Sequence, residues 1–332
     1  MTNTQNTPQI PPAEDAYKFF NIELNPDGSL TRRNELPTLP ASPEPDPNNP
    51  NSPLSKDIPL NAAAKSFIRL FRPQLNPPPS AKLPLLIYFH GGGFVFGSAA
   101  SAPFHASCGR MSAHLPALIA SVEYRLAPEH RLPAAYRDAM DAVAWARDQA
   151  AADSAADPWL EELADFSRVF LMGSSAGGNI AYRTGLRLLD EDVRPMKIVG
   201  LIMNQPFFGG VRRTGSEIKY YNDRIIPLHG ADLLWSLALP HGADRAHEYC
   251  DPMAGGGPGE ERIRRLPVSM VRGYSGDPLV DKQKEFGEML EARGGRVVAQ
   301  FVDGGHHGVE LFDSRFADAL YDAIRDFVGA CI

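Results

Sequence analysis

Cysteine is scarce in this sequence, and the common signatures of metal sites are absent. The three cysteines of the 332-residue chain, Cys108, Cys250 and Cys331, lie far apart, and no CxxC spacing suggests a zinc site or a redox pair. We therefore expect free thiols in a reducing compartment. The nine histidines include no HExxH motif and no close cluster with Cys or Asp beyond the neighbours His306 and His307. The pattern predicts no bound metal.

The sequence also lacks the features that bring proteins to nucleic acids, nucleotide cofactors or membranes. The 33 Lys and Arg residues against 40 Asp and Glu give a formal net charge of −7, and no segment is dense in basic residues, so nothing attracts nucleic acid. No GxxxxGK[ST] loop occurs and no strand leads into GxGxxG, which argues against a nucleotide or nicotinamide cofactor. No apolar run reaches the roughly 18 residues of a membrane span, and the N-terminus lacks the basic start and apolar stretch of a signal peptide. We expect a cytoplasmic protein without a cofactor.

Proline, by contrast, is abundant near the N-terminus. Sixteen of the thirty prolines lie in the first eighty residues, which excludes long helices from that part of the chain. We predict a disordered tail over residues 1–14, followed by an amphipathic piece anchored by apolar side chains between Tyr17 and Leu24. The alternating segment 66–72 (SFIRLFR) predicts an edge strand.

Short apolar runs alternate with helical patterns through the rest of the chain. The runs predict strands of the buried type at residues 83–89, 118–122, 169–172, 198–203, 268–272 and 297–302. Helical spacing of apolar residues lies between them, at 134–149, 179–189, 279–293 and 317–328. This alternation predicts an α/β fold with a mostly parallel central sheet flanked by helices. Residues 206–257 break the rhythm, and we interpret them as an insertion that contains a helix at 231–239.

A serine between small residues is the first candidate for chemistry. The segment GSSAG, residues 173–177, follows an apolar strand directly and precedes a helix. G-x-S-x-G alone is a weak motif, but the order strand, sharp turn and helix is that of a nucleophile elbow. Small neighbours are needed because the turn is strained and the helix packs closely on the strand. We predict that Ser175 is a nucleophile.

A glycine cluster upstream is the second candidate. His90 and three glycines follow the strand at 83–89. Acyl transfer passes through a tetrahedral oxyanion, and backbone N–H groups are its usual hydrogen-bond donors. We assign the amides of Gly92, Gly93 and Ala176 to this oxyanion hole. His90 itself is interpreted as a structural hydrogen-bonding residue that supports the loop.

Two loops near the C-terminus supply candidates for the base and its acidic partner. Asp277 and His307 each follow a predicted strand, and loops at the carboxyl ends of parallel strands gather on one face of the sheet. The chain order serine, aspartate, histidine is that of α/β-hydrolases. Asp281 and His306 are the alternatives for the two roles. We favour Asp277 for its position in the loop, and His307 as the base.

Three segments together carry a resemblance to a known family. HGGGF at 90–94, YRLAPEHRLPAA at 124–135 and GSSAGGN at 173–179 resemble the hormone-sensitive-lipase-like branch of the α/β-hydrolases, and in particular plant carboxylesterases. The resemblance spans roughly residues 15–330. It implies one α/β-hydrolase domain over 15–330, with a cap from about 15–50 and 206–257. It also implies a Ser–Asp–His triad matching Ser175, Asp277 and His307, and an oxyanion hole matching the three amides above.

The resemblance also suggests a reaction and leaves alternatives open. Plant members hydrolyse short-acyl esters of specialised metabolites or xenobiotics and hormone-like lactones, so we expect a small-molecule ester as the partner. Some relatives use the same pocket as lyases, for dehydration or cyclisation. Gibberellin receptors share the fold as non-catalytic binders but replace the triad histidine with an aliphatic residue, whereas His307 is present here. Many relatives carry Asp or Glu before the nucleophile, and this chain has Ser174, from which we expect altered tuning without loss of catalysis.

Large apolar side chains are the candidates for contacts with the substrate. Aromatic residues dominate cores as well as pockets, so packing between cap and core explains them equally well. The sequence leaves the oligomeric state open. The candidates for an apolar pocket are Phe94, Phe96, Phe207, Phe208 and Trp235.

Overall fold

The N-terminal segment begins the described part of the protein. The structure, a computed structural model, describes residues 13–77, 79–152 and 156–331. Residues 1–12 of the predicted tail lie outside these ranges, and its last two residues belong to helix α1 (Ala13–Phe20). A short antiparallel pair follows, β1 (Ile22–Leu24) and β2 (Leu30–Arg32). Helix α1 is the one helix in the described part of the first eighty residues, as their proline content predicts.

Eight further strands form a single sheet. Its order is β10-β9-β8-β7-β5-β6-β4-β3, and every neighbouring pair from β10 to β6 is parallel, while β4 and β3 pair antiparallel at one side. The mostly parallel sheet predicted from the alternation is confirmed. The strands are β3 (Leu54–Asn61), β4 (Ser66–Arg72), β5 (Leu83–Phe89), β6 (Leu118–Val122), β7 (Ala164–Ser174), β8 (Ile198–Asn204), β9 (Val268–Tyr274) and β10 (Val297–Val302).

Helices cover both faces of this sheet and divide the core into two layers. Along β5, Leu85, Ile87 and Phe89 pack into one layer, whereas Leu86 and Tyr88 pack into the other. This period of two is expected of a strand that is buried on both faces. The helices are α2 (Ala102–His114), α3 (Ala134–Ala151), α4 (Pro158–Leu163), α5 (Ala176–Leu188), α6 (Gly215–Lys219), α7 (Leu228–Ala238), α8 (Glu260–Arg265), α9 (Val280–Ala292) and α10 (Ser314–Ala330). No helix in the described ranges is long and apolar enough to cross a membrane.

Strand β4 corrects one prediction. It is an inner strand, because β3 pairs with its outer side and β6 with its inner side. The sequence did not predict β3, and therefore not this pairing. Strand β3 contains Pro59, and its half-exposed, polar residues do not form an apolar run. The edges of the sheet are β3 and β10.

The N-terminal helix packs on the insertion. The rings of Phe19 in α1 and His229 in α7 lie 6.0 Å apart, and Phe20 fits against Gly230, where a Cβ atom would come within 3.0 Å of its ring. After β1 and β2, the Arg32 guanidinium forms a two-point ion pair with Glu129 and donates to backbone carbonyls of the core. The aromatic contacts hold α1 against α7, and those of Arg32 attach the N-terminal segment to the loops after β5 and β6.

Candidate active site

Five loops meet at the carboxyl edge of the sheet. They follow β5, β7, β8, β9 and β10, which are neighbours and parallel, so their carboxyl ends point the same way. The glycine cluster follows β5, Ser175 follows β7, Gln205 follows β8, Asp277 follows β9 and His307 follows β10. This is the edge at which open α/β sheets bind ligands.

Ser175 occupies a strained turn between β7 and α5. Its backbone angles are φ 56° and ψ −119°, which non-glycine residues rarely adopt, and its side chain makes no capping hydrogen bond to the helix. Gly177 lets the turn approach the sheet, because a Cβ atom there would lie 1.9 Å from the Phe89 carbonyl oxygen. The Ser175 amide donates to the Asn204 carbonyl at 2.9 Å, which fixes the turn to β8. The geometry is that of a nucleophile elbow.

Three side chains form a hydrogen-bonded chain from this turn into the protein. The Oγ of Ser175 lies 2.9 Å from Nε2 of His307, and Nδ1 of His307 lies 2.9 Å from Oδ2 of Asp277. With the Asp277 carboxylate as acceptor, Nδ1 carries the proton and Nε2 is free to accept one from the serine hydroxyl. The three predicted triad residues thus meet with the mutual geometry that nucleophilic catalysis needs.

Asp277 is fully buried but well supplied with hydrogen-bond donors. Burial acts to raise its pKa, yet attraction to His307 and hydrogen bonds to the carboxylate prevail, so its pKa lies below the ordinary value. The side-chain amides of Gln205 and Gln283 each donate to Oδ2 at 2.9 Å, and the Leu279 amide donates to Oδ1 at 2.8 Å. The carboxylate is therefore held ionised and in one orientation.

His307 has the opposite shift. Its burial acts to lower its pKa, but the charge and hydrogen bond of Asp277 raise the pKa above the ordinary value. The imidazole is thereby a stronger proton acceptor, which suits a base for a serine hydroxyl.

The two alternative residues make other contacts. Asp281 lies one turn into α9 and accepts from the Ser216 amide at 2.7 Å, so it supports α6 instead of His307. The ring of His306 lies against the His307 carbonyl, with Nδ1 3.0 Å from that oxygen. The geometry therefore favours Asp277 and His307, as the sequence analysis did.

The glycine loop after β5 lies directly beside Ser175. Gly92 has φ +113°, and a Cβ atom there would lie 2.0 Å from the Phe96 carbonyl oxygen, so this position requires glycine. The amides of Gly92 and Gly93 donate to no protein acceptor in the described ranges, and Ala176 opens α5, where amides have no partner within the helix. These three amides remain our candidates for the oxyanion hole.

His90 contacts the glycine loop from the buried core. It is fully buried, stacks on Tyr124 with ring centroids 4.2 Å apart, and places Nδ1 2.7 Å from the Gly91 carbonyl oxygen. Burial lowers its pKa to about 4, so the ring stays neutral. These contacts agree with the structural role expected for it.

A small apolar cavity opens onto the serine. It has a volume of about 180 Å³, and Ser175, His307 and the glycine loop form one part of its wall. Leu234 of α7 and Phe20 of α1 also line the cavity, so both the insertion and the N-terminal helix contribute to its wall. The remaining apolar lining comes from Phe96, Phe104, Ile225, Ile226, Leu311 and Phe312.

Four aromatic residues proposed to bind substrate do not line this cavity. Phe207 and Trp235 stack on each other with centroids 4.5 Å apart, and Phe94 packs 5.6 Å from Trp235. Phe208 packs against Tyr182 and Phe286. All four are at most 1% exposed, because they fill the space between insertion and core. Phe94, Phe207, Phe208 and Trp235 are therefore not placed to contact a substrate in this cavity, whereas Phe96 lines it and stays a candidate.

A larger cleft lies elsewhere and contains none of the triad residues. It has a volume of about 670 Å³ and contains Arg183, Arg187 and Arg262 in its wall. We place the site at the smaller cavity, because that is where a nucleophile, a base and free amides converge. Within the described ranges, no group of three or more His, Cys, Asp and Glu residues is arranged to hold a metal ion.

Several polar residues of the site escaped the sequence analysis. Gln205 donates to Asp277 and to the His306 carbonyl, and it accepts from the Gly308 amide, so it fixes both triad loops. Its φ of 46° is also in the left-handed region. Its place directly after β8 was the available signal, because loops after parallel strands converge. No comparable sequence signal identified Asn204, Gln283 or Glu310 as residues of the site.

Known proteins resemble this chain closely. A family model described as an alpha/beta hydrolase fold matches residues 86–311. The chain is 51% identical over 325 residues to probable carboxylesterase 8 of Arabidopsis thaliana, covering 97% of this chain and 95% of that protein. It is 41% identical over 321 residues to a 3-O-acetylpapaveroxine carboxylesterase of Papaver somniferum, covering 95% and 97%.

A solved structure agrees on the fold. An esterase of Pyrobaculum calidifontis superposes with a TM-score of 0.67 at 24% identity, covering 95% of this chain and 89% of that one. The expected fold and family are thereby confirmed. The chain belongs to the α/β-hydrolase family and, within it, to the plant carboxylesterases.

Proposed function

We propose that this protein is a serine carboxylesterase that uses Ser175, His307 and Asp277 to hydrolyse short-acyl esters of small molecules. The observation that carries the proposal is the unbroken chain of hydrogen bonds from Ser175 through His307 to Asp277, with 2.9 Å at each step. Membership of the plant carboxylesterases supports the reaction class.

The proposed reaction has two halves. His307 takes the proton from Ser175 as its Oγ attacks the ester carbonyl, and then gives that proton to the departing alcohol, which leaves an acyl-enzyme on Ser175. Water attacks this ester with His307 again as the base, and the acid is released. Asp277 holds the imidazole in the required tautomer and stabilises the imidazolium.

We assign the stabilisation of the oxyanion to three backbone amides. In each half of the reaction, negative charge develops on the carbonyl oxygen, and the amides of Gly92, Gly93 and Ala176 are its donors. The start of helix α5 adds a favourable dipole at the same place. No metal or cofactor enters this scheme.

The size of the cavity supports small substrates. Its volume of about 180 Å³ is below the roughly 300–1,000 Å³ of pockets that hold drug-sized ligands. Its wall is largely apolar, which suits an acyl chain of few carbons. The Papaver relative is named for an acetyl ester of a specialised metabolite, which supports substrates of that class. We further propose that residues 15–50 and 206–257 act as the cap of the active site. A cytoplasmic location of the protein stays a prediction.

A panel of p-nitrophenyl esters tests the proposal. We expect the purified protein to hydrolyse the acetate and butyrate with higher kcat/KM than the octanoate. Ser175→Ala lowers kcat by roughly 10⁶-fold, because the nucleophile is lost. Ser167→Ala, an exposed serine on β7, is the matched control and keeps full activity.

Two other outcomes would replace this function. Absence of turnover, together with ligand binding in the cavity, would indicate a receptor-like binder. Conversion of a hydroxyisoflavanone-type substrate to a dehydrated product, without cleavage of simple esters, would indicate a lyase.

A further inference from the structure

A second carboxyl group lies in the wall of the cavity beside Ser175. Glu310 is three residues after His307, in a short 3-10 turn, and its side chain is only 2% exposed. It lines the same cavity as Ser174, Ser175 and His307. The mechanism above gives it no role, although burying a carboxyl group is costly unless it is hydrogen-bonded.

Asn204 connects Glu310 to the nucleophile turn. Its side-chain amide donates to Oε1 of Glu310 and, at 3.2 Å, to the Oγ of Ser174. The backbone carbonyl oxygen of Asn204 accepts a hydrogen bond from the Ser175 amide at 2.9 Å. One residue at the end of β8 thus contacts both the serine turn and the loop that carries His307.

The loop after His307 is fixed at two successive points. Gln205 accepts the Gly308 amide at 2.9 Å, and Asn204 donates to Glu310 two residues later. Because Asn204 and Gln205 are neighbours, a single turn after β8 sets the position of this loop. Loss of the second contact would release the loop at Glu310 and leave the bonds that Gln205 makes to it.

The surroundings of Glu310 favour the neutral acid. Burial raises its pKa above the ordinary value, although its own backbone hydrogen bond, the attraction of His307 and Arg272, and the hydrogen bond from Asn204 act to lower it. The hydroxyl groups of Tyr88, Tyr274 and Tyr321 are the other titratable groups that face it. Within the described ranges, two buried oxygens accept no hydrogen bond, Oε2 of Glu310 and Oδ1 of Asn204. A proton on Oε2 of Glu310 would make that oxygen a hydrogen-bond donor.

We propose that Glu310 is a positioning residue, which holds the His307 loop against the Ser175 turn through Asn204. It acts through its hydrogen bond and not through a negative charge. The proposal rests on the esterase function above. It predicts that the neutral isostere glutamine serves as well as glutamate, whereas a shortened side chain does not.

Steady-state kinetics with p-nitrophenyl acetate test this role. Glu310→Ala and Asn204→Ala each lower kcat by about 10- to 100-fold with KM changed less than about threefold, because misplacing the base affects the chemical step. Glu310→Gln stays within about threefold of the wild type. The double variant Asn204→Ala/Glu310→Ala loses no more than either single variant, because both break one connection. Glu288→Ala, exposed on α9, is the control.

The rate at which a fluorophosphonate labels Ser175 provides a readout that does not need turnover. We expect the same ranking of variants, and the wild-type rate in Glu310→Gln. Equal labelling of the wild type and Glu310→Ala, multiplying losses in the double variant, or a Glu310→Gln protein as slow as Glu310→Ala would overturn the proposal. If Glu310→Ala does not fold, Asn204→Ala and Glu310→Gln decide the question. A wild type that is labelled but hydrolyses no ester would contradict only the proposed function.

Discussion

At the scale of single residues, the pair His307 and Asp277 controls when the proposed nucleophile can be activated. His307 accepts a proton only when neutral, and its pKa lies above the ordinary value of 6.5 because of Asp277. Activity therefore increases as pH rises through this raised pKa. The acidic limb of the pH profile of kcat/KM should accordingly have its midpoint above pH 6.5.

Replacing Asp277 with asparagine tests this coupling. Asp277→Asn removes the charge that raises the pKa of His307, so the midpoint of the acidic limb moves to lower pH. We also expect kcat to fall by about 10⁴-fold, because the amide favours the wrong tautomer of the imidazole. Both quantities follow from the pH dependence of p-nitrophenyl acetate hydrolysis.

Asp281→Asn is the matched control for this variant. Asp281 is on the same segment but contacts α6, so its replacement leaves the midpoint in place. An unchanged midpoint in Asp277→Asn would show that Asp277 does not set the pKa of the base.

Ser174, which directly precedes the proposed nucleophile, is the residue from which the resemblance led us to expect altered tuning. Its Oγ accepts from Asn204, and the same amide donates to Glu310. The carboxyl group next to the nucleophile turn therefore comes from the loop after β10. The sequence around Ser174 did not indicate a contact with Glu310, because Glu310 is 136 residues away in the chain.

At the scale of secondary-structure elements, helix α1 decides how much room a substrate has. Its last residue, Phe20, lines the cavity and packs 5.3 Å from the ring of Phe96. The same two rings also border a neighbouring cleft of about 390 Å³ between the N-terminal segment and the core. They form a partition between the two spaces.

Phe20→Ala should open this partition. We expect the ratio of kcat/KM for p-nitrophenyl hexanoate over acetate to rise about tenfold, because the longer acyl chain gains space and apolar contact. Phe19→Ala is the control, since Phe19 borders the neighbouring cleft but not the cavity. A ratio unchanged in Phe20→Ala would mean that the acyl chain does not extend toward α1.

The elements themselves were predictable where burial was complete. Strands β5 and β6 have every residue buried, so their apolar runs matched the observed bounds. Strand β3 alternates with polar residues and contains a proline, and it was missed. Helix α2 was missed as well, because its small and polar residues give a weak apolar stripe: Ser107, Gly109 and Ser112 lie within it.

At the scale of the whole molecule, the parallel sheet explains why the three residues proposed from the sequence as a triad lie together. Ser175, Asp277 and His307 each follow a strand, and the fold alone brings such positions to one edge. Gln205 and Glu310 depend on side-chain direction within a turn, which no local pattern encodes. The cavity wall was also beyond the sequence, because α1 and α7 meet over the site through tertiary packing.

Covalent labelling of the nucleophile tests the central claim most directly. A p-nitrophenyl phosphonate leaves a stable phosphonyl group on an activated serine, and mass spectrometry of the digested protein locates it. We predict one group per chain, on the peptide that contains Ser175, with loss of esterase activity in proportion to labelling and no labelling of Ser175→Ala. A label on another residue, or ester hydrolysis that persists after Ser175 is fully modified, would contradict the assignment of Ser175 as the nucleophile.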